Sequence, residues 1–282
     1  MTGPGRGNRV KRALAGGEVA VVVAGHSASS DTADFVGQLG FDGLWLEGEH
    51  GAVTWDRVGD LSRACELWDM AAMYRVRTLE PSLVARALTL GVHGIVVPQV
   101  STADEARRLV AAAKFAPQGA RGVSRGRRSY GRPAFLDEEN DQTVLVVQLE
   151  DPAALRNAEE IAAVPGIDVV FVAPNDLAQA MGHQGRPGHP EVADAIDDAL
   201  SRIAATGAAA PGTLCPADQI DRFTGLGVRF LYTSYDAWIT AGARDFRRAL
   251  DAATARRDPR QDDPGQGTAS APQGTARQDG AA

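Results

Sequence analysis

Two carboxylates and a histidine follow one short apolar run, in the segment Leu46-Glu47-Gly48-Glu49-His50-Gly51. An imidazole titrates near neutral pH and can move protons, and a nearby carboxylate can fix its tautomer and raise its basicity. The alternative is a surface loop with ordinary charges. The residue types and their position after an apolar run favour proton-transfer chemistry by His50 with a neighbouring carboxylate, either Glu47 or Glu49.

An arginine ends the next apolar run, which reads Tyr74-Arg75-Val76-Arg77. Burying the guanidinium of an arginine costs free energy unless it pairs with an anion. Its planar arrangement of N–H donors suits a carboxylate or an enolate oxygen. The alternative is that the side chain extends to solvent. The sequence favours a catalytic or binding role for Arg75 and a solvent-exposed position for Arg77.

Two further carboxylates end later apolar runs, Glu150 after Val147-Gln148-Leu149 and Asp176 after Phe171-Val172-Ala173-Pro174-Asn175. Buried carboxylates that lie close together repel unless a proton or a cation sits between them. Oxygen ligands without sulfur or imidazole suit a hard divalent ion such as Mg²⁺ or Mn²⁺. We expect Glu150 and Asp176 to bind a metal ion; the alternative is a structural hydrogen-bonded pair.

The elements that carry these residues alternate between strand length and helix length. Apolar runs predict strands, and segments of helical period predict the helices between them. The strands are expected at 19–24, 44–46, 71–76, 94–97, 144–149, 169–172, 208–214 and 228–232, and the helices near 31–39, 56–68, 81–90, 102–113, 152–163, 191–205, 216–225 and 236–252.

Short apolar strands without alternation are buried on both faces, as in a parallel sheet covered by helices. Eight such units in about 245 residues favour an α/β fold of the (β/α)8 TIM-barrel type. A doubly wound sheet is the rival, weakened because no GxGxxG turn follows the first strand. In a barrel the residues at the carboxyl ends of strands surround the active site.

Both ends of the chain differ in composition from the region between them. Residues 1–7 are rich in glycine, and residues 254–282 contain no Leu, Ile, Val or aromatic residue. Such segments bury too little apolar area to offset their ordering entropy. We therefore expect an unstructured amino terminus at 1–7, a barrel domain at 8–253 and an unstructured tail at 254–282.

The net charge and the two cysteines limit the kinds of protein that this chain could be. The net charge of -7 argues against a nucleic-acid partner, which needs a basic face. No stretch approaches the ~20 apolar residues of a membrane span, and the amino terminus lacks an uninterrupted apolar signal region. Cys65 and Cys215 are far apart and read as small buried residues. A cytoplasmic protein is the expectation.

The remaining histidines and one basic loop are weaker candidates. His26 follows the first strand and is a possible pocket residue, whereas His93 precedes the fourth strand, at the opposite end of the barrel. His183 and His189 lie in a loop rich in Gly and Pro. The basic segment 118–128 is expected to be a solvated loop, with contact to an anionic substrate or a neighbouring subunit as the alternative.

Four segments of this chain, taken together and in order, resemble a known family. Over roughly residues 8–250 the chain is similar to the HpcH/HpaI aldolases, class II pyruvate-dependent aldolases of the phosphoenolpyruvate/pyruvate barrel superfamily. The segments are GFDGLWLEGEHG (40–51), RALTLGVHGIVVPQVSTADEARRLVAAAKFAPQGARG (86–122), VVQLEDPAAL (146–155) and IDVVFVAPNDLAQAMG (167–182).

The resemblance implies roles for the catalytic candidates. His50 would act as acid and base, paired with the acidic residue three positions earlier, which is Glu47 here and more often aspartate in the family. Arg75 would bind a 2-oxo acid and stabilise its enolate. Proline is common in the family where Arg77 stands.

The resemblance also implies a binding site for metal and substrate. Glu150 and Asp176 would hold a divalent cation, Mg²⁺, Mn²⁺ or Co²⁺. Gln148 would lie in the pocket, and backbone amides near Asn175 and Asp176 would cradle the substrate carboxylate. The family often has Gly-Pro-Ala-Asp where this chain has Ala-Pro-Asn-Asp at 173–176.

The implied reaction cleaves or forms a 4-hydroxy-2-oxo acid. The cation polarises the ketone, His50 takes the proton of the 4-hydroxyl, and the C3–C4 bond breaks to give an aldehyde and pyruvate enolate. The partners are then a pyruvate-like 2-oxo acid and an aldehyde. A homo-oligomer is also implied, either a hexamer or a dimer that exchanges the final helix.

Two alternatives remain open at this stage. One is other enolate chemistry on the same barrel, such as an acyl-CoA lyase or a decarboxylating carbon–carbon bond former. The other is a non-catalytic barrel that binds a 2-oxo acid or a protein partner. The retained histidine, arginine and carboxylates speak against the second.

Overall fold

A computed structural model of the chain describes residues 7–124 and 126–255. Within them, eight parallel strands form a closed barrel in sequence order, and β1 pairs with β8 to complete it. The TIM-barrel prediction is confirmed and the open doubly wound sheet is excluded. The strands are β1 Ala20–Ala24, β2 Gly43–Glu47, β3 Ala71–Arg75, β4 Gly94–Val97, β5 Val144–Leu149, β6 Val169–Val172, β7 Ala210–Leu214 and β8 Phe230–Ser234.

Helices fill the connections between the strands. Those among the described residues are α1 Arg9–Ala15, α2 Ser30–Gly37, α3 Trp55–Leu67, α4 Pro81–Leu90, α5 Ala103–Ala113, α6 Phe135–Gln142, α7 Pro152–Arg156, α8 Ala158–Ala162, α9 Pro174–Ala180, α10 Pro190–Thr206, α11 Ile220–Gly225 and α12 Tyr235–Ala255. The sequence missed α1, α6 and α9, which are too short for a clear period. It also predicted one helix at 152–163, which Asn157 divides into α7 and α8.

Two predicted helix starts have the expected caps. Thr102 accepts a hydrogen bond from the amide of Glu105, whose carboxylate caps the Thr102 amide in return, so α5 begins with a capping box. Asp151 accepts from the amide of Ala154, and Pro152 is the first residue of α7. Since α7 follows β5 directly, the Asp151 cap fixes the chain just beyond Glu150.

The apolar core has two layers, because each strand turns alternate side chains to the barrel interior and to the helices. Trp45, Met73, Val146 and Phe171 belong to the interior layer. Their strand neighbours join the helices in the outer layer, for example Leu44, Leu46, Tyr74 and Val147. Two residues beyond interior positions, Glu47, Arg75 and Gln148 therefore face inward at the carboxyl-terminal mouth.

The basic segment 118–128 is only in part the solvated loop that was expected, because residues 122–124 are exposed but three of its arginines have partners. Arg121 is buried with its guanidinium over the Phe115 ring, 4.6 Å from the centroid. Arg128 is buried in an ion pair with Glu139 at 2.7 Å. Arg127 pairs with Glu66 on α3. The prediction failed for these three arginines because charge density alone does not reveal buried partners; Arg125 lies outside the described residues.

The chain divides into two compact units, the first ending at Asp236 and the second beginning at Ala237. In the second unit the described residues belong to α12, on which Ile239 and Phe246 are 66% and 70% exposed. The expected unstructured ends, 1–7 and 254–282, lie outside the described residues except for Gly7, Thr254 and Ala255. The last two extend α12 beyond the predicted boundary. Among the described residues, the helices are too short or too polar to span a bilayer.

Candidate active site

The turn after β2 is organised by the carboxylate of Glu47. Its Oε1 accepts hydrogen bonds from the backbone amides of Glu49 and His50, at 2.8 and 3.0 Å. The two glycines of the turn meet close neighbours: a Cβ on Gly48 would lie 2.4 Å from the Tyr74 hydroxyl, and one on Gly51 would lie 2.6 Å from Glu47 Cγ. The turn is therefore folded tightly back on the strand that carries Glu47.

The same carboxylate binds Arg75 on the neighbouring strand. Arg75 Nε donates to Oε1 and Oε2 of Glu47, at 3.0 and 2.8 Å, and Nη2 lies 2.6 Å from Oε2. Burial acts to raise the pKa of the Glu47 carboxyl, but the hydrogen bonds and charge of Arg75 outweigh it and the pKa lies below its ordinary value. Glu47 is thus an anion that fixes the guanidinium.

The remaining nitrogen of the guanidinium faces the barrel axis. Arg75 Nη1 donates to Gln148 Oε1 at 3.4 Å and lies 3.1 Å from Oε2 of Glu49. The guanidinium also lies 5.8 Å from the centroid of the Trp45 ring. Arg75 therefore connects the β2 turn to the buried Gln148 on β5, as a pocket residue should.

The imidazole of His50 stands at the cavity surface. Its side chain is 73% exposed, and Nε2 lies 3.7 Å from Glu49 Oε2. The resemblance implied a pair between the His50 ring and Glu47. In the structure the Glu47 carboxylate holds the backbone of His50 and the side chain of Arg75, and Glu49 is the carboxylate beside the ring.

Three carboxylates influence one another at the mouth. Burial raises the pKa of Glu150 to about 7, with the negative charges of Asp176 and Glu49 adding to the effect. Burial likewise raises the pKa of Glu49, and Glu47 and Asp176 add to that shift while Arg75 and His50 oppose it. Oε2 of Glu49 is buried without a hydrogen-bond partner among the described residues, since its approach to Arg75 has ion-pair distance but poor alignment. The three carboxylates Glu49, Glu150 and Asp176 together therefore concentrate negative charge at the mouth.

A cavity of about 250 Å³ brings most of the predicted site residues together. Its wall combines polar side chains that lie on or just after β2, β3, β5 and β6 with an aromatic floor. The lining residues are Trp45, His50, Arg75, Gln148, Phe171, Ala173, Pro174, Asn175, Asp176, Leu214 and Tyr232. Glu47 and Glu150 are not lining residues of this cavity; Glu47 binds Arg75, and the charge of Asp176 acts on Glu150.

A second cavity of about 650 Å³ shares His50, Arg75 and Tyr232 with the first. His26 lines it, as the sequence allowed, and its Nδ1 lies 2.6 Å from Asp236 Oδ2. The cavities therefore meet at His50 and Arg75, the two residues for which the sequence predicted catalytic roles. The site therefore has room for two reactants on either side of His50.

Several residues of the site had no predicted role. Glu49 was noticed beside His50 but not assigned, and Trp45, Phe171 and Tyr232 were read only as apolar strand residues. Strand parity was the available signal, because Trp45 lies two residues before Glu47 and faces the same way. The edge contact of Trp45 with Tyr232, at 4.9 Å between centroids, closes the floor of the site.

His93 and Lys114 lie at the amino-terminal end of the barrel, opposite the mouth that contains the candidate site. His93 is buried before β4, where Nδ1 accepts from the Ala72 amide at 3.1 Å. Lys114 is also buried, and its ammonium donates to the carbonyls of Asn140 and Thr143 just before β5. Lys114 thus lies at the amino end of β5, away from the mouth that the candidate residues surround.

The chain matches known proteins over most of its length. Residues 23–246 match the family model described as HpcH/HpaI aldolase/citrate lyase. A hydroxypyruvate/pyruvate aldolase of Cupriavidus necator is 38% identical over 247 residues, 84% of this chain and 89% of that protein. A 4-hydroxy-2-oxovalerate aldolase of Rhodococcus jostii is 38% identical over 238 residues, 83% and 92% of the two chains.

Solved structures agree with the family match. The crystal structure of an HpcH/HpaI aldolase/citrate lyase family protein from Burkholderia cenocepacia has a TM-score of 0.78 and 29% identity, and the match covers 86% of this chain and 99% of that one. The resemblance seen in the sequence is confirmed. The chain therefore belongs to the HpcH/HpaI aldolase/citrate lyase family of carbon–carbon lyases.

Proposed function

We propose that this protein is a divalent-metal-dependent aldolase that cleaves or forms 4-hydroxy-2-oxo acids through a pyruvate enolate. Relatives named as hydroxypyruvate/pyruvate aldolase and 4-hydroxy-2-oxovalerate aldolase, both 38% identical, support a 2-oxo acid and an aldehyde as substrates. The observation that carries the proposal is that Asp176 lines one cavity with Arg75 and His50, and that its charge raises the pKa of both Glu150 and Glu49.

The residues at the mouth fit a hard divalent cation. Glu150 and Asp176 would hold it, and Glu49, with a buried oxygen that lacks a hydrogen bond, adds a third negative charge beside them. Carboxylate oxygens are the ligands that Mg²⁺ and Mn²⁺ prefer, with Co²⁺ as a further candidate. When bound, such an ion supplies a concentrated positive charge of the kind that polarises a ketone.

Arg75 supplies the second positive charge of the proposed site. Its guanidinium is fixed before substrate arrives, because Glu47 accepts from Nε and pairs with Nη2. A preorganised cation stabilises developing negative charge without the cost of reorienting solvent. Arg75 would hold the oxygen of a 2-oxo acid as it gains charge, and Gln148 would add a buried amide beside it.

His50 is the proposed proton carrier. In cleavage its imidazole accepts the proton of the substrate's 4-hydroxyl, the C3–C4 electron pair moves to C3, and the aldehyde departs. The resulting enolate is protonated at C3 to give pyruvate, and aldol addition follows the reverse course. Its exposed ring, next to Glu49 and between the two cavities, suits a group that meets both reactants.

The test is an aldolase screen with pyruvate and a panel of aldehydes, with EDTA or with added Mg²⁺, Mn²⁺ or Co²⁺. We expect turnover that chelation removes and metal restores. E150Q and D176N should lose both turnover and metal response, whereas E160Q, which changes an exposed glutamate on α8, should retain both. Full activity of E150Q or D176N, or activity after exhaustive chelation, contradicts the proposal.

Other enolate chemistry on the same barrel is the second candidate, because the family description includes citrate lyase. The products separate the two. An aldolase gives an aldehyde and pyruvate, whereas an acyl-CoA lyase or a decarboxylating enzyme consumes an acyl-CoA or oxaloacetate. Exclusive turnover of the latter substrates would favour the alternative.

We also propose a homo-oligomer, hexameric or built from dimers that exchange α12, and a cytoplasmic location. The exposed apolar side chains Ile239 and Phe246 support association, because they lie seven positions apart on one face of α12 and contiguous apolar surface marks protein interfaces. Both cysteines are free and buried, which suits a reducing compartment. Light scattering on wild type and F246E tests the association, and an unchanged mass would oppose it.

A further inference from the structure

Two histidines and a glutamate meet where the loop after α9 enters α10. The imidazoles of His183 and His189 stack with centroids 3.7 Å apart and planes 15° from parallel. His183 Nε2 donates to Glu191 Oε2 at 2.8 Å. One potential ligand atom from each of the three side chains lies within 4.8 Å of the others.

One nitrogen of this cluster has no partner. Nδ1 of His189 is buried and forms no hydrogen bond with the described residues. Burying a polar atom without a hydrogen-bond partner costs free energy. A bound ligand that is not part of the described chain would remove that cost. His189 also precedes the first turn of α10 without a side-chain capping bond, so helix capping does not account for its imidazole.

The backbone around the cluster is firmly held. The His183 amide donates to the Ala178 carbonyl at 2.7 Å, and the His189 amide donates to the Arg186 carbonyl at 3.0 Å. The His189 carbonyl in turn accepts from the amides of Val192 and Ala193. The three side chains therefore project from a folded turn rather than from a loose loop.

We propose that His183, His189 and Glu191 form a second metal site, specific for a borderline ion of the zinc class and separate from the carboxylate site at the barrel mouth. Two imidazole nitrogens and one carboxylate oxygen are a ligand set that Zn²⁺ accepts, with water as the fourth ligand. The mouth offers oxygen ligands instead, which hard ions prefer. Ligand chemistry thus separates the two sites.

The geometry requires only side-chain movement. Atoms bound to one zinc at bond lengths of about 2.1 Å lie roughly 3.4 Å apart in a tetrahedron. The observed separations, from 2.8 Å to no more than 4.8 Å, bracket that value. Metal would replace the hydrogen bond between His183 and Glu191, and rotation of the stacked rings would bring their nitrogens to it.

The position of the cluster gives the ion a structural consequence. The residue that holds the His183 amide, Ala178, belongs to α9, whose first turn carries Asp176. Glu191 belongs to α10. An ion bound by all three side chains would clamp the connection between α9 and α10 and thereby stabilise the helix that positions Asp176.

The first test counts zinc bound to the full-length protein by equilibrium dialysis. A D176N variant, impaired at the mouth, should still bind one equivalent of Zn²⁺, and D176N/H183Q and D176N/E191Q should lose it. Since the Glu191 side chain is 70% exposed, E191Q tests the site with little risk to folding. D176N/H26Q, which changes the exposed histidine paired with Asp236, is the control and should keep the equivalent.

A second measurement identifies the ligands. Co²⁺ in a four-coordinate site containing imidazole absorbs visible light much more strongly than Co²⁺ among six oxygens. D176N should show the intense spectrum, and D176N/H183Q should lack it. Zinc binding that is unchanged in D176N/H183Q and D176N/E191Q, or D176N that binds no zinc, would overturn this proposal. Neither result bears on aldolase activity at the mouth, which the Mg²⁺ and Mn²⁺ assays measure.

Discussion

Glu47 and Arg75 are register partners at the last positions of β2 and β3, and their side chains meet as a carboxylate and a guanidinium fork. Parallel pairing alone brings the two residues side by side at the mouth. Because Glu47 also accepts from the amides of Glu49 and His50, one carboxylate aligns both the arginine and the histidine turn. Preorganisation at this site therefore rests on the strand register.

The first prediction concerns the guanidinium. R75K keeps the charge but loses the planar fork, so it releases Glu47 and no longer presents Nη1 toward Gln148. We expect kcat for aldol cleavage to fall by about 10²- to 10³-fold, the usual cost of losing one preorganised electrostatic contact. R77K, on the exposed neighbour, should match wild type; equal losses in both variants would show that position 75 has no special role.

The second prediction concerns Glu49. Its negative charge adds to that of Glu150 and Asp176, so E49Q should weaken Mn²⁺ binding by about 10- to 100-fold, the range for groups that support metal ligands. The ion should still bind, because Glu150 and Asp176 remain. Calorimetric titration of Mn²⁺ measures the effect, with E160Q as the control. Wild-type affinity in E49Q would remove Glu49 from the metal site.

Much of the fold followed from apolar runs, since a strand buried on both faces leaves a plain signal in the sequence. The runs at 94–97, 144–149 and 169–172 match β4, β5 and β6 residue for residue. Short elements left less trace. The helix α9 has only seven residues, and no helix was predicted between the sixth strand and the segment 191–205.

The site was harder to predict than the fold, because contacts between strands depend on register. Barrel topology puts the carboxyl ends of all the strands at one mouth, so the nearness of the candidates could be predicted, whereas their roles stay predictions. The sequence did not reveal that Glu47 turns to Arg75 while Glu49 approaches the His50 ring. It also gave no sign that His183 and His189 stack, since five loop residues separate them and only the folded turn brings them together.

The third prediction concerns the glycine of the catalytic turn. A Cβ on Gly48 would lie 2.4 Å from the Tyr74 hydroxyl and 2.6 Å from the Arg75 carbonyl, so G48A must displace the turn. We expect a loss of about 1–3 kcal/mol in the free energy of unfolding, typical of overpacking, together with reduced kcat. G225A is the matched control, because nothing lies within 4 Å of its Cβ. Urea denaturation that gives equal stability for G48A and G225A would contradict the prediction.

The last prediction is a pH dependence set by His93 at the amino end of the barrel. Burial lowers the pKa of His93 to about 4, and the nearby charge of Arg128 adds to this effect against the opposing hydrogen bond to Glu66. The ring stays neutral because Nδ1 accepts from the Ala72 amide. In the unfolded chain the imidazole takes up its proton near its ordinary pKa of 6.5.

Between those two pKa values the unfolded state binds the proton and the folded state does not, so stability decreases as the pH falls from about 6.5 to about 4. The loss from this group should approach about 3 kcal/mol, at 1.36 kcal/mol for each pKa unit. Urea denaturation at a series of pH values should show this slope in wild type and in H26Q, which changes an exposed histidine, and a flatter slope in H93Q. The slope is the proper measure because H93Q is expected to lower stability at every pH. An unchanged slope in H93Q would mean that folding does not shift the pKa of His93, and it would contradict the prediction.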